Sequence, residues 1–474
     1  MDETQRPTTM HTLKRTTNRV TTAVRNEDAT YYTTLAQRAA RTYTVEGLTA
    51  LWRHIKAILP KHRLRRSDQR YDLGEAMLQH FEHLEAGTTY STQEIRKQCL
   101  SRNAQNANKQ PVVTYVDLRE LPTLAETEDL CLRQNPNKAP GPGGLSSNVC
   151  RYGAAALSPH LHGVMLKAFL SAVEPCRYKG GFLIPIWKQK GPQNQADSYR
   201  GILLSETYGK VYHAWLRRRL LPTMLHRRAL GQLGGLPSQQ TVSGIQLLRL
   251  HGRLGRANKI STAVIFVNLR SVFHHLLREF VFNDDSHMSF EELCKVLDPM
   301  DFDLKTLADE LRTATQQTPE DIPPALQRCL ADAHRNTWFQ LQQHGDMATE
   351  TRRGTRPGSP LADIGFNLLM ANLVQQLHEQ LSQCAAYCQG QAALGAQVPP
   401  VTWVDDLAVP MATVQPDQLQ PLVQEVSAAL HTLFQRYGLS LNMQKGKTEV
   451  VMMYRGKDAN RCRSALFDAE SPPI

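Results

Sequence analysis

The hydrophobic pattern divides this chain into segments with different predicted structures. Residues 1–112 are polar and basic with helical periodicity, and residues 100–112 at their end lack an apolar period and predict a linker. Residues 113–282 and 336–456 alternate helical patterns with short apolar runs of strand length, which predicts a mixed α+β fold. Residues 283–335 between them are acidic and helix-rich, and we expect them to pack as extra helices outside the sheet.

Polar residues follow two of the apolar runs at positions suited to chemistry. The run 263–267 predicts a buried strand that ends at Asn268, and α/β folds commonly place functional residues at such strand ends. Apolar residues on both sides of Asp405 and Asp406 predict a tight β-hairpin with the two carboxylates at its tip. Adjacent acids repel each other, and a divalent cation is the usual reason to tolerate them. A solvated turn is the alternative for this pair.

Basic residues bracket a second predicted hairpin. The apolar run 181–187 leads into Lys188 and Lys190, and Arg200 follows after a polar loop. Cations that converge on one hairpin can hold a polyphosphate, because a guanidinium group reaches two oxygens at once. An ordinary basic surface hairpin is the alternative.

Composition narrows the class of partner. The 474 residues include 55 Lys and Arg against 44 Asp and Glu, which gives a net charge of +11 and a pI of about 9.2. This balance favours an anionic partner, with nucleic acid ahead of a membrane surface. The chain has no apolar run of about 18 residues and no apolar signal segment at its start, so we expect neither a membrane span nor secretion. Nine scattered cysteines are typical of reduced thiols, which fits a nuclear or cytoplasmic protein.

Six short blocks in a fixed order carry the most specific information. They are residues 137–144 (NKAPGPGG), 181–202, 263–273, 354–361 (GTRPGSPL), 403–406 (WVDD) and 438–450. In this order the blocks resemble the reverse transcriptase domain of non-LTR retrotransposons, which is related to the reverse transcriptases of group II introns. The resemblance runs from about residue 120 to residue 456, and the segment that ends in His80 and Phe81 extends it upstream.

The resemblance implies a right-hand polymerase with fingers at residues 113–254 and a palm at residues 255–456. The implied reaction is addition of deoxynucleotides to a primer 3′-hydroxyl on an RNA template, with two Mg²⁺ ions, or Mn²⁺, as cofactors. Asp405 and Asp406 match the acidic pair that binds the metals. Asn268 stands where the family has a third metal-binding aspartate.

The resemblance also assigns residues to the incoming nucleotide. In this family fingers residues hold the triphosphate, an aromatic side chain contacts the ribose, a glycine-containing turn supports template and base, and a palm lysine lies near the triphosphate. The matching residues of this sequence are Lys188, Lys190, Arg200, Phe273, Gly358, Lys445 and Lys447. Plain core packing is the alternative for Phe273.

Three departures from the family pattern bear on activity. Asn268 offers one neutral oxygen in place of a carboxylate, and losing about 4 kcal/mol of transition-state stabilisation slows a reaction roughly a thousandfold. Pro357 stands where many family members carry glutamine. Residues 457–474 form a polar tail soon after the last block, which predicts a truncated chain with the thumb missing and a weak grip on primer and template. We therefore expect polymerase activity to be severely impaired or absent.

Other functions stay open on the sequence alone. The first alternative is a catalytically inactive remnant that still binds nucleic acid through its basic groove. A viral RNA-dependent RNA polymerase and a group II intron maturase are weaker alternatives, because the APGPG and SYRGI blocks differ from the viral class and a maturase needs a basic domain after the palm. An unrelated basic scaffold is the last. The main interpretation implies an RNA template, a DNA primer and deoxynucleoside triphosphates as partners, and no membrane.

Overall fold

The computed structural model describes residues 73–109, 117–136, 138–282, 290–297, 302–316, 322–341 and 345–468, together with Thr30 and Thr34. The chain divides into two compact units, Met1–Arg70 and Tyr71–Ile474, and the fold given below belongs to the second. The basic helical pattern predicted upstream of residue 73, Asn137 of the first block, and residues 283–289 of the acidic insert lie outside the described residues.

Strands in the described part of the chain form two sheets. They are β1 (Thr88–Ser91), β2 (Gly180–Trp187), β3 (Tyr199–Ser205), β4 (Ser261–Val267), β5 (Thr337–Gln340), β6 (Met347–Thr351), β7 (Val401–Trp403), β8 (Asp406–Thr413) and β9 (Glu449–Met453). One sheet has the order β1-β6-β5-β2-β3 and the other has the order β7-β8-β4-β9. Every pairing is antiparallel except that of β2 with β5, which is parallel. The predicted antiparallel sheet within a mixed α+β fold is confirmed.

Helices cover both sheets. In the first half they are α1 (Gly74–Leu84), α2 (Thr92–Lys109), α3 (Leu124–Leu132), α4 (Ser147–Tyr152), α5 (Ala154–Ser171), α6 (Thr207–Arg227), α7 (Thr241–Ala257), α8 (Val272–His275) and α9 (Glu279–Phe282). In the second half they are α10 (Phe290–Val296), α11 (Leu304–Gln316), α12 (Pro324–His334), α13 (Ala362–Gln383), α14 (Ala385–Leu394), α15 (Leu419–Arg436) and α16 (Ala459–Asp468). Helix α3 begins with a capping box in which the Thr123 side chain and Glu126 satisfy each other's backbone N–H groups.

Strand β4 is the centre of the four-stranded sheet. Ala263, Ile265 and Val267 point into the main hydrophobic core, where they meet α13 and α15. Successive residues of a strand face opposite sides of the sheet, and on the other side Phe266 is 39% exposed. The sequence predicted a buried strand, and Phe266 differs from that prediction because part of this second face is open to solvent.

The five-stranded sheet joins distant parts of the chain. Thr88 of β1 pairs with Glu350 of β6, and Gly181 of β2 pairs with Phe339 of β5. This sheet therefore combines strands from all three predicted segments, upstream, fingers and palm. Helix α7 lies within the predicted fingers range, yet it contacts β4 and β7 of the other sheet.

Three segments differ from the sequence-based predictions. The predicted linker at 100–112 is helical as far as Lys109, because the Ser91 hydroxyl caps the start of α2 and its residues Ile95 and Cys99 are buried against Ala348. Helix α12 at the end of the acidic insert is buried in the main core instead of packing outside it. The tail predicted after residue 457 contains the helix α16.

Candidate active site

The two adjacent acids lie where β7 turns into β8. Trp403 pairs with Asp406 in the strand register, so Val404 and Asp405 form a two-residue turn. Val404 has a φ of +59°, a left-handed conformation that β-branched residues rarely adopt. Backbone strain of this kind persists where surrounding contacts enforce it, and it clusters at functional sites. The predicted hairpin is confirmed, with Asp405 at its tip and Asp406 at the start of β8.

A glycine-rich segment braces this hairpin. The Leu233 N–H donates to the Thr402 carbonyl at 3.0 Å, and the Thr402 N–H donates to the Gly231 carbonyl at 3.0 Å. A Cβ atom on Gly234 would collide with the backbone nitrogen of Val404. Glycine is therefore required for this close backbone approach, and the repeated glycines of residues 231–235 were a sequence signal that the analysis above did not use.

Asn268 and Asp406 lie on the same face of the sheet. Val267 of β4 pairs with Leu407 of β8, so Asn268 and Asp406 are the next opposed positions in the register. Opposed residues of an antiparallel pair project to the same side. Both residues line a cavity of about 440 Å³, together with Lys447 from the loop before β9. The structure thus brings together three of the predicted site residues from three separate blocks.

The amide of Asn268 is held in place by two neighbours. The Asn442 side-chain Nδ2 donates to Asn268 Oδ1 at 3.1 Å, and the Asn442 N–H donates to the Asn268 carbonyl at 2.8 Å. The Asn268 N–H donates to the Thr448 hydroxyl at 3.2 Å. An amide oxygen has two acceptor positions, so one remains for a ligand. Asn442 lies in the sixth block but was not predicted as a site residue, and neither was Thr448.

Burial and charge both act on the acid pair. Burial raises the pKa of Asp405, and the nearby charge of Asp406 raises that pKa further. A bound cation would reverse this effect, because it stabilises the ionised carboxylate. Two carboxylates and an amide oxygen are hard ligands of the kind that Mg²⁺ and Mn²⁺ accept. Among the residues that the structure describes, no group of three or more His, Cys, Asp or Glu side chains is placed to hold a metal ion.

Cations from the two sheets come close to each other. Lys188, at the end of β2, donates from Nζ to the Asp197 carbonyl at 2.7 Å. Burial lowers the pKa of Lys188, and the charges of Arg200 and Lys447 lower it further. Lys447, in the loop before β9 of the four-stranded sheet, therefore lies within electrostatic range of the β2–β3 hairpin. Lys190 and Lys445 are exposed, and the structure gives neither a described partner.

Phe273 and Gly358 share a second cavity. They line a space of about 470 Å³ with Arg217, Asp363 and other residues of the turn before α13. The Phe273 ring packs against Phe366, with the ring centroids 5.2 Å apart. Phe273 is thus half-buried, with one side against the core and one toward the cavity. Both interpretations of Phe273, contact with the ribose and packing in the core, are compatible with this position.

Arg278 fixes the strand and turn that lead to this second cavity. Its guanidinium donates to the carbonyls of Gly354, His334, Thr351 and Arg353 and to the Thr351 hydroxyl, at distances between 2.8 and 3.0 Å. The residue is 5% exposed. A buried cation with this many partners rigidifies the backbone around it. No local pattern in the sequence predicted the role of Arg278, because its partners lie far away along the chain.

A second buried contact joins α1 to the segment that carries Phe273. His274 Nδ1 and Glu85 Oε1 are 2.7 Å apart, and both residues are buried. The Phe273 carbonyl accepts a hydrogen bond from the Thr355 N–H at 2.8 Å. The α1 helix therefore supports the Phe273 region, although the sequence resemblance only placed it upstream of the domain.

A buried ionic network lies beneath the same turn. Lys179 Nζ is 2.9 Å from Asp332 Oδ1, and the two side chains are 0% and 3% exposed. His213 Nε2 donates to Glu174 Oε2 at 2.9 Å, and the Ser359 hydroxyl is 3.5 Å from His213 Nδ1. Burial lowers the pKa of His213, so the imidazole is neutral. This network joins the segment between α5 and β2, together with α6 and α12, to the residue that follows Gly358.

No protein-family model matches this chain, and no curated protein is significantly similar to it.

Within the described ranges, no helix is both long enough and apolar enough to cross a bilayer.

Proposed function

We propose that this chain is the fingers and palm of an RNA-directed DNA polymerase of the non-LTR retrotransposon type, with a catalytic rate strongly reduced by Asn268. Its substrates are deoxynucleoside triphosphates, a DNA primer and an RNA template. The single observation that supports this proposal most is the shared cavity of Asn268, Asp406 and Lys447. Residues from three of the six sequence blocks meet there, as the resemblance requires.

The arrangement of cations supports the same proposal. Lys188 and Arg200 on the β2–β3 hairpin lie within electrostatic range of Lys447 beside the acid pair. A triphosphate carries several negative charges, and cations on two sides of one opening can hold it while its reacting end faces the carboxylates. In this proposal these three residues bind and orient the nucleotide, and Phe273 faces its ribose.

Asp405 and Asp406 are suited to bind one divalent cation. A second divalent cation would have fewer ligands than the first. A cation held by Asp405 and Asp406 would stabilise the charge that develops on the transferred phosphoryl group. Asn268 contributes a neutral oxygen that already accepts one hydrogen bond from Asn442. The chain's own residues then position the nucleotide well and stabilise a two-metal arrangement poorly, which is why we expect a low rate.

Primer extension with Mg²⁺ or Mn²⁺ tests the proposal. The variant Asn268→Asp keeps the shape of the side chain, and a carboxylate oxygen can accept the same hydrogen bond from Asn442 Nδ2. We expect this variant to extend an RNA-templated DNA primer roughly a thousandfold faster than the wild-type chain. Wild-type activity within tenfold of the variant would refute the assigned role of Asn268.

Two matched controls make that result specific. Adding Asp406→Asn to the Asn268→Asp chain should abolish the gained activity, because it removes a carboxylate from the same cavity. Adding Glu425→Gln, at an exposed position of α15, should leave the activity unchanged. Equal loss in both double variants would contradict the metal-site assignment.

The second candidate function is nucleic-acid binding without catalysis. The observation that favours it is the Asn442–Asn268 amide pair, which places a neutral hydrogen bond at the family's metal-ligand position. Filter binding of an RNA–DNA hybrid separates the two functions. Tight binding together with no extension by either the wild-type chain or Asn268→Asp would support this candidate and contradict the polymerase.

A further inference from the structure

Helix α7 lies against the open face of the four-stranded sheet. Its buried residues Gly244, His251 and Gly255 face the strands, and His251 Nε2 is hydrogen-bonded to the Met411 carbonyl at 3.0 Å. A Cβ atom on Gly255 would collide with the Thr262 side chain. Small residues therefore let the helix approach the sheet closely, and its outer surface stays exposed.

One side of this outer surface carries a row of exposed residues. Val242, Ile245, Arg249, Arg253 and Arg256 follow each other at intervals of three or four, which places them on one side of the helix. Val242 is 56% exposed and Ile245 is 45% exposed. We call these five residues the α7 stripe. It is apolar toward the N-terminus of the helix and basic toward the C-terminus.

The apolar end of the α7 stripe reaches the candidate active site. Ile245 lines the same cavity as Asn268 and Asp406, and so does Phe266 from β4. On the neighbouring strand β9, Val451 is 48% exposed. These apolar side chains form a partly open floor next to the acid pair, beside the area that α7 covers.

The basic end lies at the far end of the sheet and lacks acidic partners. None of the three arginines of the α7 stripe forms a salt bridge with any residue that the structure describes. Burial lowers the pKa of Arg455, at the end of β9, and the charge of Arg256 lowers it further. Exposed guanidinium groups gathered in this way are suited to an anionic partner.

The dimensions of the stripe match a nucleic-acid strand. From Ile245 to Arg256 the helix rises about 16 Å, at 1.5 Å per residue. The phosphates of one strand advance about 3.4 Å per base pair along the duplex axis, so this length covers roughly five base-pair steps. Three arginines can therefore contact three phosphates of one strand while its end lies over Ile245 and Phe266.

We infer that the α7 stripe and the open sheet face bind the nucleic-acid duplex as it leaves the candidate active site. Arg249, Arg253 and Arg256 contact phosphates of one strand, and Ile245 and Phe266 pack against the sugar and base at its end. This binding is independent of sequence, because phosphate contacts carry no base information. The inference rests on the proposed function for the choice of duplex, an RNA–DNA hybrid with a recessed 3′ end.

Salt-dependent binding tests the inference. Affinity for a hybrid of fixed length is measured by fluorescence anisotropy over a range of KCl concentrations, for the wild-type chain and for the triple variant Arg249→Gln, Arg253→Gln, Arg256→Gln. Each lost phosphate contact reduces the steepness of the negative slope of log K against log salt by about 0.9. We therefore expect the slope of the triple variant to be less negative by about 2 to 3. The loss should be similar for hybrids of different sequence.

A charge-matched control excludes a general electrostatic effect. The triple variant Arg96→Gln, Lys97→Gln, Lys167→Gln removes the same charge from exposed positions of α2 and α5. We expect its salt slope to equal that of the wild-type chain. A second variant, Ile245→Ser, should weaken binding of a hybrid whose recessed end reaches the site and leave its salt slope unchanged.

The outcomes separate this inference from the proposed function. Loss of binding in the stripe variant supports the inference even if Asn268→Asp fails to extend a primer, which would contradict only the polymerase. An unchanged salt slope in the stripe variant overturns the inference even if Asn268→Asp extends a primer. Equal losses in the stripe variant and the control variant also overturn it.

Discussion

Two sets of charged residues in this molecule have opposite surroundings. Lys179 and Asp332 are buried and lie 2.9 Å apart, and both side chains also form hydrogen bonds with backbone groups. Lys447 lines an open cavity and Asp405 lies beside it. No described residue pairs with either side chain in a salt bridge. Charges of the first kind organise the fold, whereas charges of the second kind are available to a ligand.

The two arginine-rich helices repeat this contrast on the surface. On α6, Arg217 pairs with Asp363, Arg218 with Asp129 and Arg219 with Glu126.

On α7, the arginines of the stripe have no such partner among the described residues. Composition is similar for both helices, so the difference lies in the acids that the fold places opposite them. In our proposal that α7 binds nucleic acid, the placement of acidic partners, and not the count of arginines, separates the two helices.

The largest expected effect is on the buried set. Replacing Lys179 by methionine leaves the carboxylate of Asp332 buried without its cation, which costs about 3–5 kcal/mol. We expect this loss in the free energy of unfolding, measured by urea denaturation. The double variant Lys179→Met, Asp332→Leu should recover part of it, because no unpaired charge remains. A loss below about 1 kcal/mol in the single variant would show that the pair does not organise the core.

A half-buried histidine makes the stability of the fold depend on pH. Burial first, and then the charges of Arg353 and His274, lower the pKa of His275 from 6.5 to about 3. Between pH 6.5 and 3 the unfolded chain binds a proton that the folded chain excludes, so stability falls as the pH falls. The contribution of this one histidine changes by at most about 1.4 kcal/mol per pH unit.

The variant His275→Gln isolates that contribution. We expect its unfolding free energy to fall less steeply than that of the wild-type chain between pH 6 and pH 5, whereas His160→Gln at an exposed position should not change the slope. Parallel curves for all three proteins would contradict the exclusion of the proton from His275.

Local pattern was enough to predict part of the candidate site. Asn268 follows an apolar run and the acids lie between two others, so strand ends and a hairpin could be inferred from neighbours in sequence. The partners Asn442 and Thr448 could not be inferred in this way. They contact Asn268 across 174 and 180 residues, and their roles depend on where β9 pairs with β4.

The five-stranded sheet shows the same limit for the fold. Three of its strands are short, since β1 and β5 have four residues each and β6 has five. Short runs of this kind do not specify their partner, because pairing is decided by long-range packing. The buried charges of Arg278 and Lys179 were missed for a related reason, since a lone basic residue in a sequence predicts exposure.

The contrast between α6 and α7 predicts a small effect on stability. Arg219 is 25% exposed and bonds to Glu126, so Arg219→Ala should destabilise the fold by about 0.5–1 kcal/mol. Arg253→Ala on α7 should change stability by less, because Arg253 has no described partner to lose. Urea denaturation of the two variants checks this order. Equal destabilisation would mean that the α7 arginine has a structural partner after all.

The smallest change in stability is expected at the candidate active site. The variant there should differ from the wild-type chain mainly in how much a bound metal ion stabilises it. Without metal, Asn268→Asp should alter the free energy of unfolding by less than about 1 kcal/mol, because the side chain is half-buried and keeps its bond from Asn442. Mn²⁺ at about 100 times its dissociation constant should then stabilise this variant by about 2.7 kcal/mol.

That stabilisation should grow as the pH rises. The raised pKa of Asp405, caused first by burial and then by the charge of Asp406, means that this carboxyl must lose a proton before it binds the cation. Thermal denaturation with and without Mn²⁺ at pH 5 and pH 7 measures both effects. Lys179→Met provides the control, because its lost charge lies in the buried set and Mn²⁺ cannot replace it. If Mn²⁺ stabilises Lys179→Met as much as Asn268→Asp, the cation binds elsewhere, and the division between structural and ligand-binding charges fails at this site.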